Sequence, residues 1–221
     1  DAERGSIRFD CNISAQVTTI QDGNTKADQT TRELPASCLP DANQMKLHLT
    51  GTSTATEYHY ENMAAYDQPL LDPDDYTAHF TYGDPEAEGP QAAYFEGKTT
   101  CTVAARQTVT QPVTHALANS LYTLEFSEWF KKYYTSCQIQ ITTSSGYQSG
   151  HTITSVTDPV PIFVKPNSTL YMSGTAVKTN GAEVTFPKTE IGTTLARTWH
   201  TIVVDAGSAG QANITIDFDD T

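Results

Sequence analysis

The chain has 221 residues, with 26 Asp and Glu against 13 Lys and Arg and a formal net charge of −13. That balance argues against nucleic acid and against anionic membrane surfaces as partners, and no apolar run is long enough to form a transmembrane segment. Abundant Thr and Ser, with Tyr the commonest aromatic residue, favour β-sheet with one wet face.

After a charged lead-in, Gly5–Ile13 alternates with period two. Ile7, Phe9, Cys11 and Ile13 fall on one face, and Arg8, Asp10 and Asn12 on the other, which predicts a half-buried strand. A second short strand is expected over Gln16–Ile20. Gln21–Glu33 holds a single apolar residue, Ala27, and reads as a polar loop. Gln44–Thr50 alternates again with Met45, Leu47 and Leu49 inward. Glu57–Tyr60 is a short strand, Glu61–Tyr66 a helical turn, and Asp72–Asp75 a turn into the alternating Tyr76–Tyr82. Gly83–Pro90 is an acidic loop.

Thr99–Phe126 organises the chain. Its first part places Val109, Val113 and Leu117 at odd positions. After Ala118–Asn119–Ser120 the large apolar residues Tyr122, Leu124 and Phe126 stand at even positions. A strand that changes phase turns its buried face over. Either a β-bulge interrupts one sheet, or the chain leaves one core and enters another near Leu117–Leu121. The second reading divides it into residues 1–118 and 119–221. Beyond the switch, Phe126, Trp129, Phe130 and Tyr133 mark one face of a short helix over 127–134, capped by Ser127. Short strands then follow at Cys137–Thr142, Thr152–Ser155, Val160–Val164, Thr169–Gly174, Glu183–Phe186, Thr194–Val204 and Asn213–Phe218. Many short strands with turn signals between them, and no βαβ alternation, predict an all-β sandwich or barrel.

The motifs of enzyme chemistry are missing from the sequence: no phosphate loop, no G-x-S-x-G and no H-E-x-x-H. No catalytic residue, metal ligand or cofactor is expected. His48, His59 and His79 fall one to a strand; His48 and His79 alternate against apolar neighbours and so face solvent, and the three read as exposed sheet histidines, with a three-strand metal site as the other reading. The acidic clusters read as turn chemistry rather than calcium ligands. Cys11, Cys101 and Cys137 replace aliphatics in alternating strands and read as buried thiols, with a Cys11–Cys101 disulfide as the other reading. Tyr58, Tyr60, Tyr66, Tyr82 and Tyr94 offer either a ligand-stacking surface or the rim of sheet packing.

Three runs carry a resemblance: LDPDDYTAHFTYGD, AAYFEGKTTCTVAARQTVT and HALANSLYTLEFSE. Together they make a turn into a Tyr-rich strand, an aromatic-Glu-Gly turn, a Thr/Val strand and a junction strand. This is similar to fimbrillin-like surface lipoproteins of Bacteroidales, and DAERGSIRFDCNIS resembles their start just after a lipidated Cys. The resemblance implies two transthyretin-like β-sandwich domains in tandem, export to the outer membrane and cell surface, and a lipid anchor upstream of Asp1. It also implies adhesion or pilus assembly through protein subunits or surface ligands. In that family an Arg-directed cut frees the first strand. Arg32 is the residue here that stands in the first polar loop, and Ile7, Phe9, Cys11 and Ile13 would be the exchanged face. The expected function is therefore non-enzymatic adhesion or fimbrial assembly; the alternative is a glycan-binding module of an outer-surface lipoprotein.

Overall fold

The computed structural model describes residues 3–20, 29–153, 159–206 and 215–219. They form an all-β, sandwich-like fold that clusters into two compact units. The first unit gathers Asp1–Gln16, Glu33–Asp84 and Ala93–Ala118; the second gathers Val17–Arg32, Pro85–Ala92 and Asn119–Thr221.

In the first unit, β1 (Ser6–Ile13) lies parallel on β8 (Thr108–Leu117), from Ser6 opposite Thr108 to Ile13 opposite His115. With β4 (Lys46–Gly51), β5 (Glu57–Tyr60), β6 (Asp74–Tyr82) and β7 (Phe95–Val103) they make a six-stranded sheet in the order β1-β8-β7-β6-β4-β5. Period-two alternation decides its faces. Leu47, Leu49, Tyr76, Ala78, Phe80 and Phe95 are 0–2% exposed, while His48, Thr50, Thr77 and His79 stand on the wetter side. His115 shares the inner face of β8 with Val113 and Leu117. Its ring is fully buried, neither nitrogen has a hydrogen-bond partner among the described residues, and burial pushes its pKa down.

The second unit places two four-stranded sheets around one core. One contains β9 (Ser120–Phe126), β12 (Ile162–Val164), β15 (Trp199–Asp205) and β16 (Thr215–Phe218), in the order β12-β9-β15-β16. The other contains β10 (Tyr134–Thr143), β11 (Gln148–His151), β13 (Thr169–Lys178) and β14 (Glu183–Thr193), in the order β11-β10-β13-β14. Tyr122, Leu124, Ile202 and Val204 from the first sheet meet Ile139, Ile141, Leu170 and Met172 from the second. Strand β9 runs centrally, antiparallel to β12 and parallel to β15, and Ser120–Leu124 is buried on both faces. The even-numbered residues beyond the phase change thus enter the core as read, and Leu121 and Thr123 are enclosed as well.

Several local expectations are corrected. Gln29–Glu33 is a strand, β3, paired with β2 (Gln16–Ile20); residues 21–28 of the expected loop lie outside the described residues. The segments 17–32 and 85–92 cluster with the second unit, because Thr18 bridges Thr198 in parallel and Gly89 pairs with Phe163. Of the strand expected at Thr152–Ser155, Thr152 and Ile153 are irregular and the remainder lies outside the described residues; Gln148–His151 forms the strand instead.

The helix α1 is short, Glu128–Tyr133, because Phe126 still belongs to β9. Ser127 caps it by accepting from the Phe130 N–H. Its buried residue is Phe130, stacked at 4.6 Å on Tyr134, the first residue of β10. The sequence puts Trp129 on the same apolar helix face as Phe130, which predicts a core position, yet it is 41% exposed.

All four cysteines are free: Cys101 and Cys137 are buried, Cys11 and Cys38 partly exposed. Cys11 was expected to be buried, but it lies near the end of an edge strand. Burial nevertheless pushes the Cys11 and Cys137 thiols up to about 11, so about a thousandth of each is thiolate at pH 8. Native alkylation at pH 8, read by peptide mass spectrometry, is therefore expected to modify Cys137 no faster than the rate of unfolding. Rapid labelling of Cys137 would contradict the buried assignment.

Candidate assembly edge and aromatic surfaces

Strand β1 is an outer strand of its sheet. Ile7 is fully buried, whereas Phe9, Cys11 and Ile13 are half-buried. The four residues thus share one face, as alternation predicts, but three of them are only partly enclosed. On one side the strand has the continuous ladder to β8. On the other it is held by scattered contacts. The Tyr66 hydroxyl donates to the Ile7 carbonyl at 2.7 Å, Gln68 Nε2 donates to Ser6 Oγ at 3.1 Å, and Gly5 and Leu71 exchange backbone hydrogen bonds at 2.8 and 2.9 Å.

The tyrosines divide according to strand parity. Tyr58 and Tyr60 are opposite Leu49 and Leu47 across β4–β5, so they lie on the apolar side of β5. From them a line of aromatic contacts leads to the buried sheet face. Tyr58 stacks on Tyr60 at 6.3 Å, Tyr60 meets Tyr66 edge-on at 5.2 Å, Tyr66 meets Phe9 at 5.5 Å, and Phe9 meets Phe80 edge-on at 5.1 Å. Edge-on and offset arrangements suit ring quadrupoles. The Tyr60 hydroxyl donates to Asp67 Oδ1 at 2.7 Å. Burial raises the pKa of Tyr60, Tyr66 and Tyr94; Asp67 adds to it for Tyr60 and Glu96 for Tyr94. Tyr82 and Tyr94 are half-buried, on β6 and just before β7. The structure therefore joins Tyr58, Tyr60 and Tyr66 into packing that fastens β1, and leaves Tyr82 and Tyr94 outside that line.

Arg32 is in β3, with its guanidinium 3.5 Å from the centroid of the Trp199 ring. Trp199 is 4% exposed, and its indole N–H donates to Thr123 Oγ1 at 3.0 Å. The sequence places Arg32 in a polar loop open to cleavage, whereas in the structure it belongs to a paired strand and covers a buried ring.

A further aromatic surface escaped the sequence reading. Trp129 and Tyr133 stack with planes 11° apart at 6.2 Å, and Lys132 Nζ lies 5.0 Å from the Trp129 ring centre. The i,i+4 spacing was the available signal, but it was assigned to the core face.

The chain belongs to the family described as Domain of unknown function (DUF4493), whose model matches residues 3–221. No curated protein matches it. Among solved structures, it is similar to a candidate cell adhesion protein from Bacteroides ovatus, at 11% identity, with 100% of this chain and 98% of that chain covered and a TM-score of 0.48. It is also similar to a candidate polysaccharide binding protein from Bacteroides thetaiotaomicron, at 8% identity, 97% and 95% coverage and a TM-score of 0.44. A third likeness is to the fimbrial anchor protein Mfa2 from Porphyromonas gingivalis, at 10% identity, 99% and 98% coverage and a TM-score of 0.39. Among the described residues no helix is long and apolar enough to cross a membrane.

Proposed function

We propose that this member of the family is a non-enzymatic, lipid-anchored protein of the outer cell surface, acting in adhesion or fimbrial assembly through other protein subunits. The observation that carries the reading is β1. It is a terminal strand of its sheet, parallel to β8 along its whole length, and among the described residues its other side carries loop contacts rather than a second strand. A strand of this kind is exchangeable for an equivalent one from another copy by β-strand addition. Its removal exposes the site of Ile7 and the flank of Phe80, and burial of a large apolar side chain contributes about 1.5–3 kcal/mol. An incoming strand with the same alternation restores that burial. Arg32 remains the proposed processing site, and Ile7, Phe9, Cys11 and Ile13 the exchanged face.

The test is digestion of the full chain with an Arg-specific protease, followed by mild unfolding and refolding with a labelled peptide spanning Gly5–Ile13. Native cleavage at Arg32 is expected to be slow, since β3 must first open. After cleavage and partial unfolding, the peptide is expected to replace the N-terminal fragment, and higher-order species should appear on native gels. A fragment that stays bound with no larger species would defeat the assembly reading.

Trp129 and Tyr133 favour a second reading, a glycan-binding surface. A parallel pair of one exposed and one half-buried ring beside a cation suits stacking on a sugar face. Under this reading Trp129→Ala abolishes retention on a polysaccharide column that holds the unmodified chain, and an unchanged retention would exclude the site.

A further inference from the structure

The first unit's wet sheet face carries a row that its apolar face does not reveal. His59 on β5, His48 on β4 and His79 on β6 stand directly opposite one another in the ladder. Glu57 lies two residues from His59 on the same face of β5. The His48 and His59 rings stack at 4.1 Å with planes 17° apart, and Nε2 of each lies 2.9 Å from the same oxygen, Glu57 Oε1. The ligand-type atoms of all three residues are within 4.8 Å of one another.

We propose that His48, Glu57 and His59 bind one divalent transition-metal ion of the zinc class. Two imidazoles and one carboxylate are a donor set that zinc accepts, with metal–nitrogen and metal–oxygen bonds of about 2.0–2.2 Å. Tetrahedral bonds of that length place neighbouring donors about 3.4 Å apart. The observed 2.9 Å contacts therefore need only about half an ångström of widening. Side chains that are 42%, 56% and 63% exposed for His48, Glu57 and His59 can make that movement without disturbing packing. Each imidazole must present a bare Nε2, with its proton on Nδ1 or released to solvent. Calcium and magnesium fit less well, because they prefer shells of oxygen ligands.

The strand ladder supplies the preorganisation. His48 and His59 are a directly opposed cross-strand pair, so their Cβ separation is set by the sheet. Bound metal would clip β5, the outer strand at the far end from β1, to β4. With three protein donors, a fourth position is left to solvent or to a donor from another molecule. His79 is not part of the set: its Nε2 is 2.9 Å from Glu96 Oε2. It is the natural control, an exposed histidine next in the same row and likewise paired with a carboxylate.

The test is calorimetric titration of the tag-free, chelator-treated full chain with zinc chloride, alongside thermal unfolding with and without zinc. One equivalent is expected to bind and to raise Tm, since a ligand of the folded state stabilises it. His48→Ala and His59→Ala are each expected to weaken binding about tenfold or more and to remove the Tm rise. Glu57→Gln should weaken it less, and His79→Ala should leave it unchanged. These positions are on the wet face, and the zinc-free Tm of each variant shows that it folds. The proposal fails if no zinc binds, if His79→Ala costs as much as His48→Ala, or if alkylating the four free cysteines removes the binding.

Discussion

Gly97→Ala is expected to cost about 2–3 kcal/mol, the upper part of the range for overpacking a full core. A Cβ at this position falls 2.2 Å from His115 Nδ1, 3.1 Å from its Cε1 and 3.0 Å from the Thr114 carbonyl oxygen. The imidazole has little room to yield. It is fully buried, and it packs against Phe80 at 4.8 Å between centroids. Glycine on β7 is what lets the ring lie against the strand backbone. The effect is separable from a general intolerance of β7 by a double-mutant cycle. His115→Ala removes the ring together with its two unpartnered nitrogens, so the loss of packing is offset by relief of a desolvated polar group. In the His115→Ala background, Gly97→Ala is expected to be nearly neutral, a coupling of about 2 kcal/mol by urea unfolding. Additive costs would show that the alanine methyl strains something other than His115.

Acidification is expected to destabilise the fold from about pH 6.5 downward, well before most carboxylates protonate. Burial lowers the pKa of His115, and it lowers that of His151 to about 4. Nε2 of His151 is 2.9 Å from Ser149 Oγ and 3.3 Å from the Tyr122 hydroxyl, and these two hydroxyls also meet each other. Above pH 6.5 both histidines are neutral whether the chain is folded or not, and they add no pH dependence. As pH falls below 6.5 the unfolded chain takes up protons that the folded chain refuses, so stability drops. For His151 the drop continues until about pH 4, where the folded state also protonates. The difference from the unfolded value corresponds to about 3 kcal/mol. Glu57 adds to the same trend lower down. Hydrogen bonds from His59 and His48 hold its carboxyl below the ordinary range, and the stability they supply is lost as pH falls through that lowered pKa. Urea midpoints from pH 7.5 to 4.5 check the expectation, and His151→Gln should flatten the profile. A flat profile in the unmodified chain would show that His151 is not held neutral.

Much of the first sheet was legible because alternation is a local property. Leu47 and Leu49, or Tyr76, Ala78 and Phe80, are buried wherever the chain takes them, since a strand with one apolar face has one way to hide it. The phase change after Leu117 was legible for the same reason. Strands β3 and β11 were not. QTTRE and QSGH have no apolar face, and only the ladders they join make them strands. The Trp129 error was one of helix register. With Phe126 still in β9, the buried stripe begins at Phe130 and continues to Tyr134, which turns Trp129 outward.

The sites divide along the same line. The sequence by itself determined the all-β class, the faces of β1, β4 and β6, and the outward direction of His48 and His79. Tertiary structure alone decided which outward residues meet. It brought residues 17–32 and 85–92 into the second unit through pairings with Thr198 and Phe163. It placed Arg32 over Trp199 and opposed His48 to His59. The physical reason is that period two tells which side of a strand faces water. The register that sets one strand's side chains against another's depends on pairing between distant segments, and a one-residue slip would undo it.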